Sequence, residues 1–223
     1  MFRRRTLASV ACLTLVGFSG CKKPVETIAP GSLSIVQGNL QVAAAGTALP
    51  TQLILRVRGT DGSALEDVPV SFQVVQGGGA VDPATIKTDA YGEVKVKWTL
   101  GAGAQAQSIH ASVPGLDPIE INATGVVPST LTIVQGNNQS AKAGAQLSVP
   151  IVVRVTGGST NVPIPGVTVS FALSGGSVTP ASAITNALGE ATVRWTLGAQ
   201  AGAQTAQASA LALTAVTINA TAN

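Results

Sequence analysis

The chain has 223 residues, enough for one or two domains. Hydrophobic residues make up 45% of it and charged residues only 10%, a balance that excludes an intrinsically disordered protein. The formal net charge is +3, but three of the basic residues, Arg3 to Arg5, lie in a segment that we expect to be removed. The remaining basic residues equal the acidic ones in number, so we expect no nucleic-acid partner.

Residues 1–21 have the features of an export signal. Three arginines precede the apolar stretch 6–18, and the small residues Ser19 and Gly20 lead to Cys21. The apolar stretch is shorter than the roughly 20 residues that a membrane-spanning helix needs. The small-small-Cys ending resembles the lipobox of bacterial lipoproteins, which implies that Cys21 is lipidated and becomes the first residue. An ordinary secretory signal, cut near Ser19 or Gly20, is the alternative.

The chain that follows the signal has one cysteine and a short linker. Cys12 lies inside the apolar stretch and is lost with it, so Cys21 has no partner for an internal disulfide. Residues 22–31 contain two prolines and a glycine, which predicts a linker. Fully extended, this linker reaches about 33 Å at about 3.3 Å per residue.

The rest of the chain contains two copies of one unit. The matching segments are 33–39 (LSIVQGN) with 131–137 (LTIVQGN), 98–101 with 195–198 (WTLG), and 121–124 with 218–221 (INAT). A repeat of about 97 residues is too long for a solenoid and has the size of one β-sandwich. We therefore predict domains over residues 32–126 and 127–223.

Within each copy, apolar and polar residues alternate with a period of two, which is typical of half-buried strands. The residues expected to face the core of the first copy are Leu53, Leu55, Val57, Val68, Val70, Phe72, Val74, Val94, Val96, Trp98 and Leu100. Turns rich in Gly, Asp and Asn separate the runs. The sequence predicts an all-β chain of two tandem immunoglobulin-like β-sandwiches, each with roughly seven antiparallel strands, preceded by a cleaved signal peptide.

Three motifs, in the same order in both copies, resemble one particular family of Ig-like domains. They are VPVSF at 68–72 (VTVSF at 167–171), TDAYGE at 88–93 (TNALGE at 185–190), and the following strand that ends in WTLG. In this order, and twice over, they resemble the bacterial Ig-like domain group 1 (Big-1), the module of invasin and intimin ectodomains. The resemblance covers nearly all of residues 32–223. It implies an extracytoplasmic spacer or adhesin-stalk module and no catalytic chemistry.

No residue pattern points to a catalytic, cofactor or metal site. His110 is the only histidine; it points outward from its predicted strand, and its counterpart is Gln207. Zinc needs three or four ligands and a general base needs an orienting partner, and neither is near His110 in sequence. The carboxylates of the first copy do not have the spacing of a calcium loop. They include Asp61, Glu66, Asp67, Asp82, Asp89 and Glu93.

The two tryptophans and the single tyrosine each allow two interpretations. Trp98 and Trp195 share a face with apolar neighbours, which favours core packing over a platform for stacking sugars. Tyr91 lies at a turn tip, and Leu188 holds the same position in the second copy. We predict Tyr91 and Leu188 as candidate contact residues, with a turn that folds over the end of the sandwich as the alternative.

Together these features predict a non-catalytic lipoprotein of the cell envelope, at the outer membrane or cell surface and anchored in the membrane through Cys21. Without lipidation it would be secreted or periplasmic. We expect an Ig-like stalk, adhesion or structural interaction module, with a protein or glycan partner at the cell surface. A polysaccharide-binding module, or an accessory subunit of an envelope complex, is the alternative function.

Overall fold

The computed structural model describes residues 28–223. The predicted signal peptide, Cys21 and most of the linker lie outside the described residues. Every regular element from Ile28 to Asn223 is a β-strand, so the predicted all-β class is confirmed. Within this range, no helix is long and apolar enough to cross a membrane.

Strands β1–β9 form the first sandwich. They are β1 (Pro30–Gln37), β2 (Gln41–Ala44), β3 (Leu53–Gly59), β4 (Pro69–Gln76), β5 (Gly79–Asp82), β6 (Thr85–Lys87), β7 (Glu93–Leu100), β8 (Ala106–Ser112) and β9 (Ile119–Val126). One sheet has the order β1-β3-β7-β5, and the other has the order β2-β9-β8-β4-β6. The apolar faces of the two sheets enclose one buried cluster.

Strands β10–β19 form the second sandwich in the same way. They are β10 (Pro128–Gln135), β11 (Gln139–Ala141), β12 (Ile151–Gly157), β13 (Val162–Pro163), β14 (Thr168–Leu173), β15 (Ser177–Thr179), β16 (Ser182–Ile184), β17 (Glu190–Thr196), β18 (Gly202–Ser209) and β19 (Val216–Ala222). The sheets are β10-β12-β17-β15, with β13 beside β12, and β11-β19-β18-β14-β16. The predicted pair of tandem Ig-like sandwiches is confirmed.

The expectation of roughly seven strands, all antiparallel, is wrong in detail. The described residues form nine strands in the first sandwich and ten in the second. The chain crosses from one sheet to the other between Gln37 and Gln41 and again between Asp82 and Thr85, so two long segments each count as two strands. The first crossing also creates a parallel pair, because β2 runs beside β9 in the same direction.

The first crossing explains why the sequence VQGN occurs twice. Gly38 has a φ of 96°, and a Cβ there would lie 2.9 Å from the carbonyl oxygen of Gln52, so no side chain fits. The Oδ1 of Asn39 accepts the backbone N–H groups of Leu40 at 3.0 Å and of Asn122 at 2.9 Å. The asparagine thereby gives the N–H of Asn122 a partner, and it is a second acceptor for the N–H of Leu40, which also donates to the carbonyl oxygen of Asn122 at 2.7 Å.

Gln41 completes this crossing with its side-chain amide. Its Nε2 donates to the carbonyl oxygens of Gly38 and Thr51, both at 2.8 Å, and its Oε1 accepts the N–H of Thr51 at 2.9 Å. In the second sandwich Gln139 makes the same three bonds at 2.8, 2.9 and 3.0 Å. The repeated sequence therefore encodes a change of sheet.

The core faces predicted from alternation are buried. Trp98 is 1% exposed and Trp195 is 0% exposed, which confirms core packing for both indoles. Val68 and Val74, at the two ends of their run, are only partly buried and pack against the edge of the core. The Nε1 of Trp195 donates to the carbonyl oxygen of Gly175 at 3.2 Å, whereas the buried Nε1 of Trp98 has no partner among the described residues.

A buried glutamine holds the loop beside each core, and the sequence pattern did not single it out. The Oε1 of Gln107 accepts the N–H of Gly101 at 2.7 Å, and its Nε2 donates to the carbonyl oxygen of the same glycine at 3.1 Å. Gln204 makes the same two bonds to Gly198 at 2.8 and 3.2 Å. These bonds satisfy backbone groups that would otherwise be buried without partners.

Truncating the core indole tests this description of the fold. Trp98→Ala should lower the free energy of unfolding by roughly 3–5 kcal/mol, because it removes the largest buried side chain and leaves a cavity. Denaturant unfolding followed by circular dichroism measures the change. Tyr91→Ala, at an exposed tip, is the control and should stay within about 0.5 kcal/mol of the wild type. Equal effects of the two changes would contradict the core assignment.

Candidate contact surfaces

The turn that carries Tyr91 is organised by one carboxylate. The Oδ1 of Asp89 accepts the backbone N–H groups of Tyr91 and Glu93, both at 2.9 Å. The bond from the Glu93 backbone is the main reason why the pKa of Asp89 lies below its ordinary value. Gly92 has a φ of 72°, and a Cβ there would lie 2.5 Å from the carbonyl oxygen of Val57. The TDAYGE motif thus builds a tight turn against β3.

The second sandwich builds the same turn with an asparagine. The Oδ1 of Asn186 accepts the N–H groups of Leu188 at 2.8 Å and of Glu190 at 3.1 Å. The preceding threonine is buried in both copies, and the hydroxyl of Thr88 donates to the carbonyl oxygen of Leu65 at 2.6 Å. The Asp-to-Asn difference therefore preserves the geometry and changes only the charge.

Tyr91 and Leu188 project from these turns. The side chain of Tyr91 is 75% exposed and that of Leu188 is 59% exposed. Isolated exposed apolar residues are common on protein surfaces, so exposure alone assigns no partner. Their role as contact residues stays a prediction.

The two turns occupy different places along the molecule. We call the end of a sandwich where its first strand begins its leading end, and the end where its last strand finishes its trailing end. Tyr91 lies at the leading end of the first sandwich. At this end the backbone N–H of Thr60 donates a hydrogen bond of 3.1 Å to the carbonyl oxygen of Ala29, just before β1 begins. Leu188 lies at the leading end of the second, beside a groove that Ala187 and Pro50 help to line. The two residues therefore do not form one surface.

His110 lies where the alternation predicts. It is half-buried in β8, between two fully buried neighbours, and is paired across the sheet with Gln73 on β4 and Glu120 on β9. Among residues 28–223, no group of three His, Cys, Asp or Glu side chains comes together as a metal site would require.

The carboxylates of the first sandwich take part in local structure. Asp61 accepts the backbone N–H of Ser63 at 3.0 Å and its hydroxyl at 2.7 Å. The backbone bond is the main reason why the pKa of Asp61 is lowered. Glu93 forms an ion pair with Arg56 on the outer face of β3 and β7, and Arg154 with Glu190 is the equivalent pair of the second sandwich.

Two concave surfaces are present in the described part of the chain. A cleft of about 400 Å³ lies between the Gly-rich turn after β14 and the loop before β18, lined by glycine and alanine with the side chains of Ser174, Gln200 and Gln204. A groove of about 250 Å³ lies where the two sandwiches meet, and Val42, Pro50 and Pro165 give it an apolar wall. Its polar lining residues, Gln41, Thr185 and Asn186, are uncharged, and neither surface is lined by a titratable side chain.

Comparison with known proteins finds similarity at the level of solved structures. No protein-family model matches the chain, and no curated protein sequence matches it. The D0-D1 domains of intimin match 86% of this chain and 95% of theirs at 18% identity, with a TM-score of 0.36. The Yersinia pseudotuberculosis adhesin InvE matches 86% of this chain and 58% of its own at 21% identity, with a TM-score of 0.42.

A crystal structure of invasin matches 86% of this chain but only 39% of its own, at 20% identity and a TM-score of 0.35. Intimin and invasin are the proteins whose ectodomain modules the sequence motifs resemble. At these sequence identities and TM-scores, the similarity assigns neither an activity nor a partner to this chain. The sheet topology described above carries the assignment of fold.

The lowered pKa of Asp89 predicts an acid-sensitive turn. Because the pKa is lower in the folded state, the stabilisation is complete above the unfolded value of about 3.8 and is lost as the pH falls through the folded-state value. Asp89→Asn should keep the turn, as Asn186 does, and remove this dependence. Urea unfolding at pH 7 and pH 3 measures it: the loss of stability on acidification should be smaller in the variant.

The control for this measurement is Asp117→Asn, which removes an exposed carboxylate elsewhere in the first sandwich. Its pH dependence should follow the wild type. An equal reduction in both variants would show that general charge, and not the turn, sets the response to acid.

Proposed function

We propose that the protein is a non-catalytic module of the cell envelope, anchored to a membrane through a lipid on Cys21. Its two sandwiches act as a stalk, adhesion or structural interaction unit at the outer membrane or cell surface. In this proposal Tyr91 and Leu188 are contact residues for a protein or glycan partner. Secretion without a lipid is the form that we expect if Cys21 is not modified.

One observation carries the proposal: the polar side chains at equivalent positions of the two copies serve the fold. Asn39 and Gln41 hold the sheet crossing, Thr88 and Asp89 hold the turn, and Gln107 closes the loop beside the core. Each bonds to backbone groups, as structural side chains do. The turn tips and the outer faces of the sheets are the surfaces that remain available to a partner. This arrangement suits a spacer or binding module better than an enzyme.

The path of the chain gives the proposed anchor a direction. The described chain reaches the first sandwich at its leading end, where Ala29 bonds to Thr60. A lipid on Cys21 would therefore hold the leading end of the first sandwich nearest the membrane. The second sandwich, which follows after Val126, would extend away from it. Dual or multiple acyl chains give the stable anchoring that one chain does not.

A polysaccharide-binding module is the second candidate, and one surface favours it. Strands β18 and β19 contain no charged residue, and most of their outward side chains are amides and hydroxyls. Gln207 pairs with Thr217, and Thr205 pairs with Asn219, so these groups lie side by side on the outer face of the sheet. Neutral sugars could form hydrogen bonds to such a face.

The anchor is tested by Cys21→Ser. If Cys21 carries the lipid, the variant should leave the membrane fraction, because the thioether that links the acyl chains cannot form. Fractionation of cells, with metabolic labelling by a fatty acid, measures both the position and the modification. Cys12→Ser is the matched control and should remain lipidated in the membrane fraction. A Cys21→Ser protein that stays in the membrane fraction would exclude anchoring through this residue.

The contact role is tested by site-specific photo-crosslinking in native membranes. A photoreactive amino acid at position 91 or 188 should capture a defined partner, since both side chains project into solvent. The same amino acid at the exposed position Arg194 is the control. Labelling of a glycan array by the wild type, lost in Gln207→Lys, would instead support the polysaccharide-binding module.

A further inference from the structure

The two sandwiches are joined by a single residue. Strand β9 ends at Val126 and β10 begins at Pro128, so only Val127 lies between them. A link this short limits the range of domain orientations but does not by itself select one. Selection requires contacts between the sandwiches.

The trailing end of the first sandwich contributes apolar side chains to the core of the second. Ala44 is 1% exposed and Val126 is 6% exposed, and both belong to the buried cluster that surrounds Trp195. Val42 packs against the same cluster. Removal of these side chains from water favours the contact, because burial of apolar surface is the main driving force in such packing.

The leading end of the second sandwich has residues without bulky side chains at the points of closest approach. A Cβ at Gly158 would lie 3.7 Å from Cγ1 of Val126. A Cβ at Gly166 would lie 3.4 Å from the Cβ of Pro50. The two surfaces therefore approach to van der Waals distance.

The trailing end of the second sandwich differs from that of the first at these positions. The bond from the Ala45 N–H to the Val126 carbonyl oxygen, 2.9 Å, recurs between Ala143 and Asn223 at 2.9 Å. This equivalence aligns Val126 with Asn223 and Ala44 with Lys142. Both replacements are polar and exposed.

The leading end of the first sandwich differs from that of the second in the same sense. The N–H of Gly166 bonds to Thr185 at 2.9 Å, and the N–H of Asp67 bonds to Thr88 at 2.9 Å, so Asp67 stands where the second sandwich has glycine. Glu66, beside it, takes the place of a proline that lines the groove, and both carboxylates are exposed. Packing this end in the same manner would bury two carboxylates, which is costly without partners.

We propose that the trailing end of the first sandwich and the leading end of the second form an order-specific interface that fixes the two as one rigid body. The partner of each surface is the other sandwich of the same chain. The small and apolar residues lie only on the two faces that meet, whereas their equivalents on the two outer faces are charged or polar. A passive tandem of identical modules would not require this difference.

The proposal is tested by exchanging residues between equivalent positions in the chain that contains both sandwiches. Ala44→Lys places at the interface the residue that the outer face carries, and Lys142→Ala is the matched change at the outer face. Small-angle X-ray scattering should fit a single conformation for the wild type and for Lys142→Ala. The Ala44→Lys curve should lose this fit and require an ensemble with a longer maximum dimension.

Circular dichroism must show that both sandwiches remain folded in Ala44→Lys. If this variant unfolds, Val42→Ser supplies the same test, because Val42 is only partly buried at the contact and its equivalent at the outer face is Ser140. Curves of folded Ala44→Lys or Val42→Ser that superpose on the wild type would overturn the proposal. A wild-type curve that itself requires an ensemble would overturn it as well.

Discussion

Each sandwich depends on side-chain amides that take over backbone hydrogen bonds where the chain leaves one sheet for the other. Where an edge strand leaves its sheet, backbone N–H and C=O groups lose their neighbours in the sheet, and burial of such groups without partners is costly. Asn39 and Gln41 supply these partners in the first sandwich, and Asn137 and Gln139 supply them in the second. With the crossing in place, one segment can border both sheets and close the same edge of the sandwich.

This polar framework matters because the apolar core has few large side chains. Aromatic residues make up only 3% of the chain, and one tryptophan fills the centre of each sandwich. Much of the remaining core is alanine, as in β18, and valine, as in β12. Small side chains bury little surface each, so the satisfied networks around Gln107 and Gln204 add specificity to a core that packing alone would define less sharply.

Comparison of the two copies separates structural from functional positions. Where the copies agree, as at Thr88 and Thr185, the side chain bonds to the backbone of its own sandwich. At buried positions the copies differ by exchange of one apolar side chain for another, as at Leu53 and Ile151. Changes of chemical character occur where the position faces solvent or the neighbouring sandwich. Tyr91 against Leu188, and Val126 against Asn223, are differences of this kind. Such changes in a duplicated fold therefore mark the surfaces on which a partner or a neighbouring domain can act.

The all-β class, the duplication and the buried face of each strand could be predicted from the amino-acid sequence. These features are local, because a period of two and a repeated motif are visible within short segments. The sheet crossings, the parallel pairing of β2 with β9, the burial of Gln107 and the packing of Val126 into the second core are visible only in the folded chain. Each of these depends on a contact between residues distant in sequence, which alternation along one strand does not specify.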